Sequence, residues 1–205
     1  MAKRLFFGFL LFSLAKTGLA QSAFTLRYVG FTIHPFGDNQ AFLEPHKFDK
    51  KGYLIANFGG LAGYEKFVWE DILSIKVMQG AFSDCSSGWA AVTHIGFRGV
   101  LIDRKKHRLL FGMGPTFYYR QDWNRFPDYE DSGFFHKYHA GLLGNIQYKM
   151  FWYGCEFEYD YRLNNKTDFN VGFTPGAPLA LVFSFGIKYW VSKDFKKSEK
   201  FVIPE

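Results

Sequence analysis

The sequence predicts an all-β fold: an eight-stranded antiparallel up-and-down transmembrane β-barrel with short periplasmic turns and longer external loops. Three observations point there. Long segments alternate between apolar and polar residues, the aromatic load exceeds what a small soluble core can hold, and the connections between segments are long and short by turns. The chain has 205 residues, 48% hydrophobic and 21% charged, with 26 Phe, 12 Tyr and 5 Trp. That length suits one domain. The balance excludes a disordered tail, a collagen-like fibre and a disulfide scaffold.

Residues 1–20 read as a secretory signal peptide. Lys3 and Arg4 supply the positive start, 5–15 form an apolar stretch of 11 residues, and Gly18-Leu19-Ala20 offers small residues for cleavage. The stretch is well short of the roughly 20 apolar residues that a spanning helix needs. Cleavage after Ala20 removes Lys3, Arg4 and Lys16, which lowers the formal charge from +6 to +3. The remaining basic residues are dispersed, which argues against nucleic acid as a partner. Cys85 and Cys155 would meet an oxidising compartment where one bridge is permitted.

The expected strands are 24–34, 53–62, 67–79, 89–102, 108–120, 136–148, 151–163 and 179–191. The pattern is clearest in 151–163, where Phe151, Tyr153, Cys155, Phe157, Tyr159, Tyr161 and Leu163 alternate with Trp152, Gly154, Glu156, Glu158, Asp160 and Arg162. Successive strand side chains point to opposite faces, so one face is apolar and the other charged. Segment 179–191 sets Phe183, Phe185, Ile187 and Tyr189 against Ser184, Gly186 and Lys188, and 108–120 sets Leu109, Phe111 and Met113 against Arg108, Gly112 and Arg120. Segment 67–79 also suits a helix through Trp69, Ile72, Leu73 and Lys76, but Ile75 and Val77 favour strand. The intervening connections are 35–52, 63–66, 80–88, 103–107, 121–135, 149–150 and 164–178. A ninth candidate, 168–173, is assigned to the last external loop, because an odd count would put the C-terminus outside.

An eight-strand interior filled with Phe and Tyr would be overpacked, whereas an outward aromatic band around a polar lumen describes a membrane barrel. The alternating runs of 11 to 13 residues match the roughly 9 to 11 that a tilted strand needs to cross. The stretch from Ser184 to Val191 also resembles the assembly signal on the last strand of small bacterial outer-membrane barrels: a polar residue, Gly two on, then aromatic and apolar residues at alternate places. The resemblance implies the outer membrane as location, with outer-membrane lipid and the barrel-assembly machinery as partners. Barrels of that family usually stop at the final aromatic, whereas here a polar tail follows at 192–205. The expected organisation is 1–20 signal peptide, 21–191 barrel and 192–205 tail.

Lumenal charges are expected at Arg27, Glu70, Lys76, Arg98, Arg108, Arg120, Lys149, Glu156, Glu158, Asp160, Arg162 and Lys188. Paired, they would hold the lumen shut; the excess of bases leaves room for an anionic ligand near a rim. If 149–150 is a two-residue turn, His139 faces Asp160, an imidazole and carboxylate that a serine would extend to a hydrolase triad. The alternative is a structural ion pair. Pro115 lacks an amide donor inside a strand, which predicts a bulge or a lateral gap for a lipid chain. The second option resembles, in architecture alone, the lipid A palmitoyltransferase family. His136 and His139 point to opposite faces and make no metal site. Arg120, Trp123, Arg125, Tyr129 and Arg162 are the candidate binding residues for an external ligand of unknown chemistry.

The expected role is therefore non-catalytic, structural or in surface recognition, with no cofactor. Two other readings stand beside it: an enzyme that modifies outer-leaflet lipid through His139 and Asp160, and a soluble periplasmic barrel with an apolar ligand in an aromatic interior.

Overall fold

A computed structural model of the chain describes residues 21–175 and 180–191. The expected signal peptide and polar tail lie outside those residues. Ten strands form one antiparallel sheet: β1 (Ser22–Ile33), β2 (Leu54–Ala56), β3 (Gly59–Trp69), β4 (Leu73–Ser83), β5 (Trp89–Arg104), β6 (His107–Gln121), β7 (His136–His139), β8 (Asn145–Arg162), β9 (Thr167–Pro175) and β10 (Leu181–Trp190). Eight of them pair in the order β1, β3, β4, β5, β6, β8, β9, β10, and β10 pairs back onto β1 from Ala23↔Trp190 to Ile33↔Leu181. The sheet is a closed barrel. Short β2 and β7 lie off this ring, paired to the outer ends of β1 and β8.

Alternation along each strand decides which side chains see the lumen. In β1, Thr25, Arg27 and Val29 are buried while Phe24, Leu26 and Tyr28 are exposed. The same holds where the sequence was most explicit: Glu158 and Lys188 are fully buried, whereas Phe157, Phe185 and Tyr189 lie outside, 39 to 46% exposed. This overturns the soluble reading, which required the aromatic face to pack inside. A continuous apolar exterior is far too large a patch for a water-soluble monomer.

Two boundaries differ from expectation and cancel in the count. Residues 149–150 are not a turn. β8 runs unbroken for 18 residues, and a register shift between Gly114 and Thr116 on β6 places Gly114 opposite Gly154 and Thr116 opposite Phe151. One extra β8 residue is accommodated beside Pro115, so the buried positions change from Gln147 before the bulge to Glu156, Glu158 and Asp160 after it. That change of phase mimics a turn in the sequence. The strand it displaces is β9, whose Asp168 and Asn170 are buried and whose Phe169 is exposed. Segment 136–148 correspondingly splits into β7, a one-turn segment at Gly141–Leu143, and the start of β8.

The second pair of strands is also displaced. Alternation continues through 63–66 as part of β3, and the chain turns instead at Glu70, whose φ is 45°. Glu70 is thereby exposed in a turn and not lumenal. β4 is strand throughout, which disposes of the helical option for 67–79. Close approach at the bulge requires glycine: a Cβ on Gly114 would sit 2.1 Å from the Ile95 carbonyl oxygen and 2.5 Å from Gly96 Cα.

Candidate functional site

The lumen is layered from one rim to the other. At the short-turn rim, Ala23, Phe67 and Trp190 pack together, and the Arg108 guanidinium lies 5.7 and 5.3 Å from the Phe67 and Trp190 ring centres. Above them Arg27, Lys76, Arg98 and Lys188 meet Glu65, Glu156, Glu158 and Asp160. Glu158 is the hub: Lys76 Nζ donates to it at 2.6 Å and Arg98 Nη1 at 2.8 Å, with Arg27 and Lys188 also in contact. These four cations and four carboxylates balance. No basic excess remains in this layer: Glu65, inside β3, supplies the fourth carboxylate in place of Glu70, while Arg108 pairs with Asp103 at 2.6 Å, Arg120 bonds Gln147 in the outer half, Lys149 lies 4.4 Å from the Phe134 ring centre and Arg162 sits at the short-turn rim.

The outer half of the lumen is different in kind. Val29, Leu61 and Met78 pack with Phe82, Val92 and Val182 around a cavity of about 530 Å³. His94, Thr116 and Glu156 also line it, and Trp123, Phe134 and Phe135 line it from the third external connection.

Local chemistry builds that roof. Asp84 closes the second external loop by accepting from the Ser86 and Gly88 amides at 3.0 and 2.8 Å, and its other oxygen accepts from Trp123 Nε1 at 2.6 Å. Arg120 is sandwiched, 3.9 Å from the Trp123 ring centre and 4.1 Å from that of Phe135. Its Nε donates to Gln147 at 2.9 Å and its Nη2 to the Tyr129 hydroxyl at 3.3 Å. Gln40 Nε2 donates to the Glu130 carbonyl at 2.8 Å, tying the first loop to the third.

Of the residues singled out from sequence, Arg120, Trp123 and Tyr129 therefore converge at the cavity. Arg125 stacks on Phe126 instead, 4.6 Å from the ring centre. Arg162 is at the opposite rim, its Nη1 donating to the Lys105 carbonyl at 3.2 Å. The His139–Asp160 pair does not form. His139 is exposed and opposite Asn145, with Nδ1 2.9 Å from Asn145 Oδ1, whereas Asp160 accepts from Lys188 Nζ at 2.7 Å. Because β8 is one strand, the two lie on the order of 50 Å apart along it. Cys85 and Cys155 are both free; Cys155 is in mid-strand opposite Met113.

A second group was not found from sequence. The first external connection folds back as β2, and Asp49 pins its turn by accepting from the Lys51, Tyr53 and Leu54 amides at 2.9 to 3.1 Å. The amides of His34 and Asp38 then donate to the Tyr53 and Lys51 carbonyls, both at 2.9 Å. This brings His34, Asp38 and Glu44 beside Cys85 of the next loop. Their spacing in the chain gives no motif; the available signal is that Asp38, Glu44 and Cys85 fall in connections expected at one rim and His34 ends the strand that leads into the first of them.

No protein-family model matches the chain, and no curated protein does. Among solved structures, the chain is similar to Ail, the attachment invasion locus protein of Yersinia pestis. In complex with the heparin analogue sucrose octasulfate, Ail aligns at a TM-score of 0.48 and 10% identity, over 83% of this chain and 98% of that one. A second Ail structure gives 0.44 and 9%, over 83% and 97%. The exterior and lumen of the present chain decide its class: charged inside, apolar and aromatic outside, closed by eight strands. It is an outer-membrane type of barrel.

Proposed function

We propose that this protein is a non-catalytic recognition barrel of the outer membrane that takes the apolar part of an amphiphile into the external half of its lumen. The ion-paired layer closes the lumen beneath the ligand. The observation that carries this reading is the apolar cavity of about 530 Å³ above that layer, a volume in the usual range for a small-molecule site. The cavity surface is mostly apolar although Asp38, Asp84, Arg120 and Glu156 also line it, so an alkyl chain that displaces its water gains apolar burial that an inert anchor would not use. The cleaved leader at 1–20, the lipid surroundings and delivery by the barrel-assembly machinery belong to the same proposal, supported by the leader's composition and by the pattern from Ser184 to Val191.

The test is saturable binding of dansyl-labelled undecanoic acid to the barrel in lipid nanodiscs, measured against empty nanodiscs. One equivalent should bind. Met78→Phe with Val182→Phe, which fills the cavity without adding polarity, should abolish that binding while the barrel keeps its heat-modifiable mobility on gels. Binding that survives the filled variant would reject the cavity as the site.

A further inference from the structure

At the side of the cavity mouth sits a cluster that the recognition reading does not use. His34 Nε2 lies 3.7 Å from Cys85 Sγ, and ligand atoms of His34, Glu44 and Cys85 are all within 4.8 Å of one another. His34 Nδ1 is 3.6 Å from Asp38 Oδ2. Glu44 is only 1% exposed, and among the described residues no donor reaches either of its carboxylate oxygens. The Asp38 carboxyl lies against it. A buried carboxylate without a donor, set against the partly exposed carboxyl of Asp38, is stabilised by a proton or a cation between them.

A thiol, an imidazole and a carboxylate in line could instead be a cysteine nucleophile. The surroundings are wrong for that, first by burial and then by the sign of the neighbouring charges. Burial pushes the Cys85 thiol up, as do Glu44, Asp84 and Asp38, against the opposing influence of Arg120, whereas reactive thiolates form in electropositive surroundings.

We propose that His34, Glu44 and Cys85 form a site for a divalent transition metal of the zinc class, with Asp38 orienting the His34 ring. Imidazole, carboxylate and thiolate together select such ions over magnesium or calcium. Metal–ligand bonds of about 2.0 to 2.3 Å place tetrahedral ligand atoms roughly 3.5 Å apart, close to the His34–Cys85 separation, and Glu44 needs only a small side-chain rotation to complete the set. On binding, the Cys85 S–H proton passes to water and the sulfur ligates as thiolate. The Asp38 carboxyl, 3.6 Å from His34 Nδ1, is placed to accept from that nitrogen after a small side-chain movement, as in carboxylate–histidine–metal arrangements. Three protein ligands leave one position open, and His34, Asp38 and Cys85 all line the cavity, so that position faces the ligand space.

The experiment is Co²⁺ titration of the full-length folded barrel in detergent, followed by absorption. Wild type should develop a thiolate-to-cobalt charge-transfer band that saturates at one equivalent and is bleached by Zn²⁺. Cys85→Ser should lack the band, and His34→Gln and Glu44→Gln should each weaken Co²⁺ binding at least tenfold. Asp38→Asn, which removes no ligand atom but takes away the carboxylate beside His34 and Glu44, should weaken it by about 10 to 100-fold. Should Cys85→Ser not fold, the wild-type spectrum and Asp38→Asn decide the matter. Folded wild type without the band, or metal uptake unchanged in His34→Gln and Glu44→Gln, overturns the proposal. Fatty-acid binding is measured without metal, so failure of either proposal leaves the other standing.

Discussion

Replacing Glu158 by Gln tests whether the lumenal ions act as a balanced set. The side chain is fully buried and is shared by Arg27, Lys76, Arg98 and Lys188. The amide is nearly isosteric, so packing is preserved while four cations are left with three carboxylates. Removing one partner of a buried ion pair costs about 3 to 5 kcal/mol, chiefly through the uncompensated charge that remains. The remedy is specific. Lys76→Met in the same chain deletes the cation 2.6 Å from Glu158 and restores balance with a side chain of similar reach. The double variant should therefore recover most of the loss, giving a coupling of at least about 2 kcal/mol, within the range for residues in one network. Urea unfolding in lipid vesicles, read by tryptophan emission and by gel mobility, supplies the four free energies of the cycle. A loss below about 1 kcal/mol for Glu158→Gln, or a double variant no better than the single, would show that lumenal water screens these charges and that the pairing is incidental.

Three further substitutions probe other layers of the argument. Phe185→Arg, on the outward face at the middle of β10, should cost about 2 to 4 kcal/mol in the same vesicle assay if that face meets hydrocarbon; a change within about 0.5 kcal/mol is what a water-exposed site would give. Gly114→Val should destabilise by at least about 1 to 3 kcal/mol, since its Cβ would meet backbone atoms of Ile95 and Gly96 that cannot rotate away; unchanged unfolding would mean that the wall is looser at the bulge than its spacing implies. Trp123→Phe keeps the ring over Arg120 but removes the donor to Asp84, a loss of about 1 to 3 kcal/mol for the orphaned acceptor. Limited proteolysis should then cut residues 122–144 faster, and equal cleavage rates would show that the roof is held by stacking alone.

How much of this was legible in the sequence depended on whether the information was local. Alternation is a property of neighbouring residues, so the outward set at Phe157, Phe185 and Tyr189 and the inward set at Glu158 and Lys188 could be assigned correctly from 151–163 and 179–191. Strand count and rim assignment followed from loop lengths, but only because two mistakes offset each other. A bulge changes the phase of alternation by one residue, and so does a tight turn. From sequence alone, 149–153 can be read either way, and Pro115, the cause of the irregularity, lies on the neighbouring strand β6. The count then required discarding 168–173, which had all the marks of a strand.

The sites were hidden for the opposite reason. Arg120, Trp123 and Tyr129 are close in the chain and could be grouped by composition, whereas His34, Asp38, Glu44 and Cys85 are joined only by the folding of the first connection across the second. The His139–Asp160 pair was inferred from a turn that does not exist, so an error in register became an error in chemistry. In a barrel a register error has two distinct effects: a one-residue slip turns a side chain from lumen to lipid, and a misplaced turn moves it from one rim to the other. Inside–outside assignments therefore survive wherever a local run is long enough to set its own phase, as in β10. Assignments that pair residues across strands survive only if every turn between them is right. Arg162 illustrates this: assigned near the external rim on the strength of the 149–150 turn, it lies instead beside Lys105 at the short-turn rim, and its candidacy as an external binding residue ends with that turn.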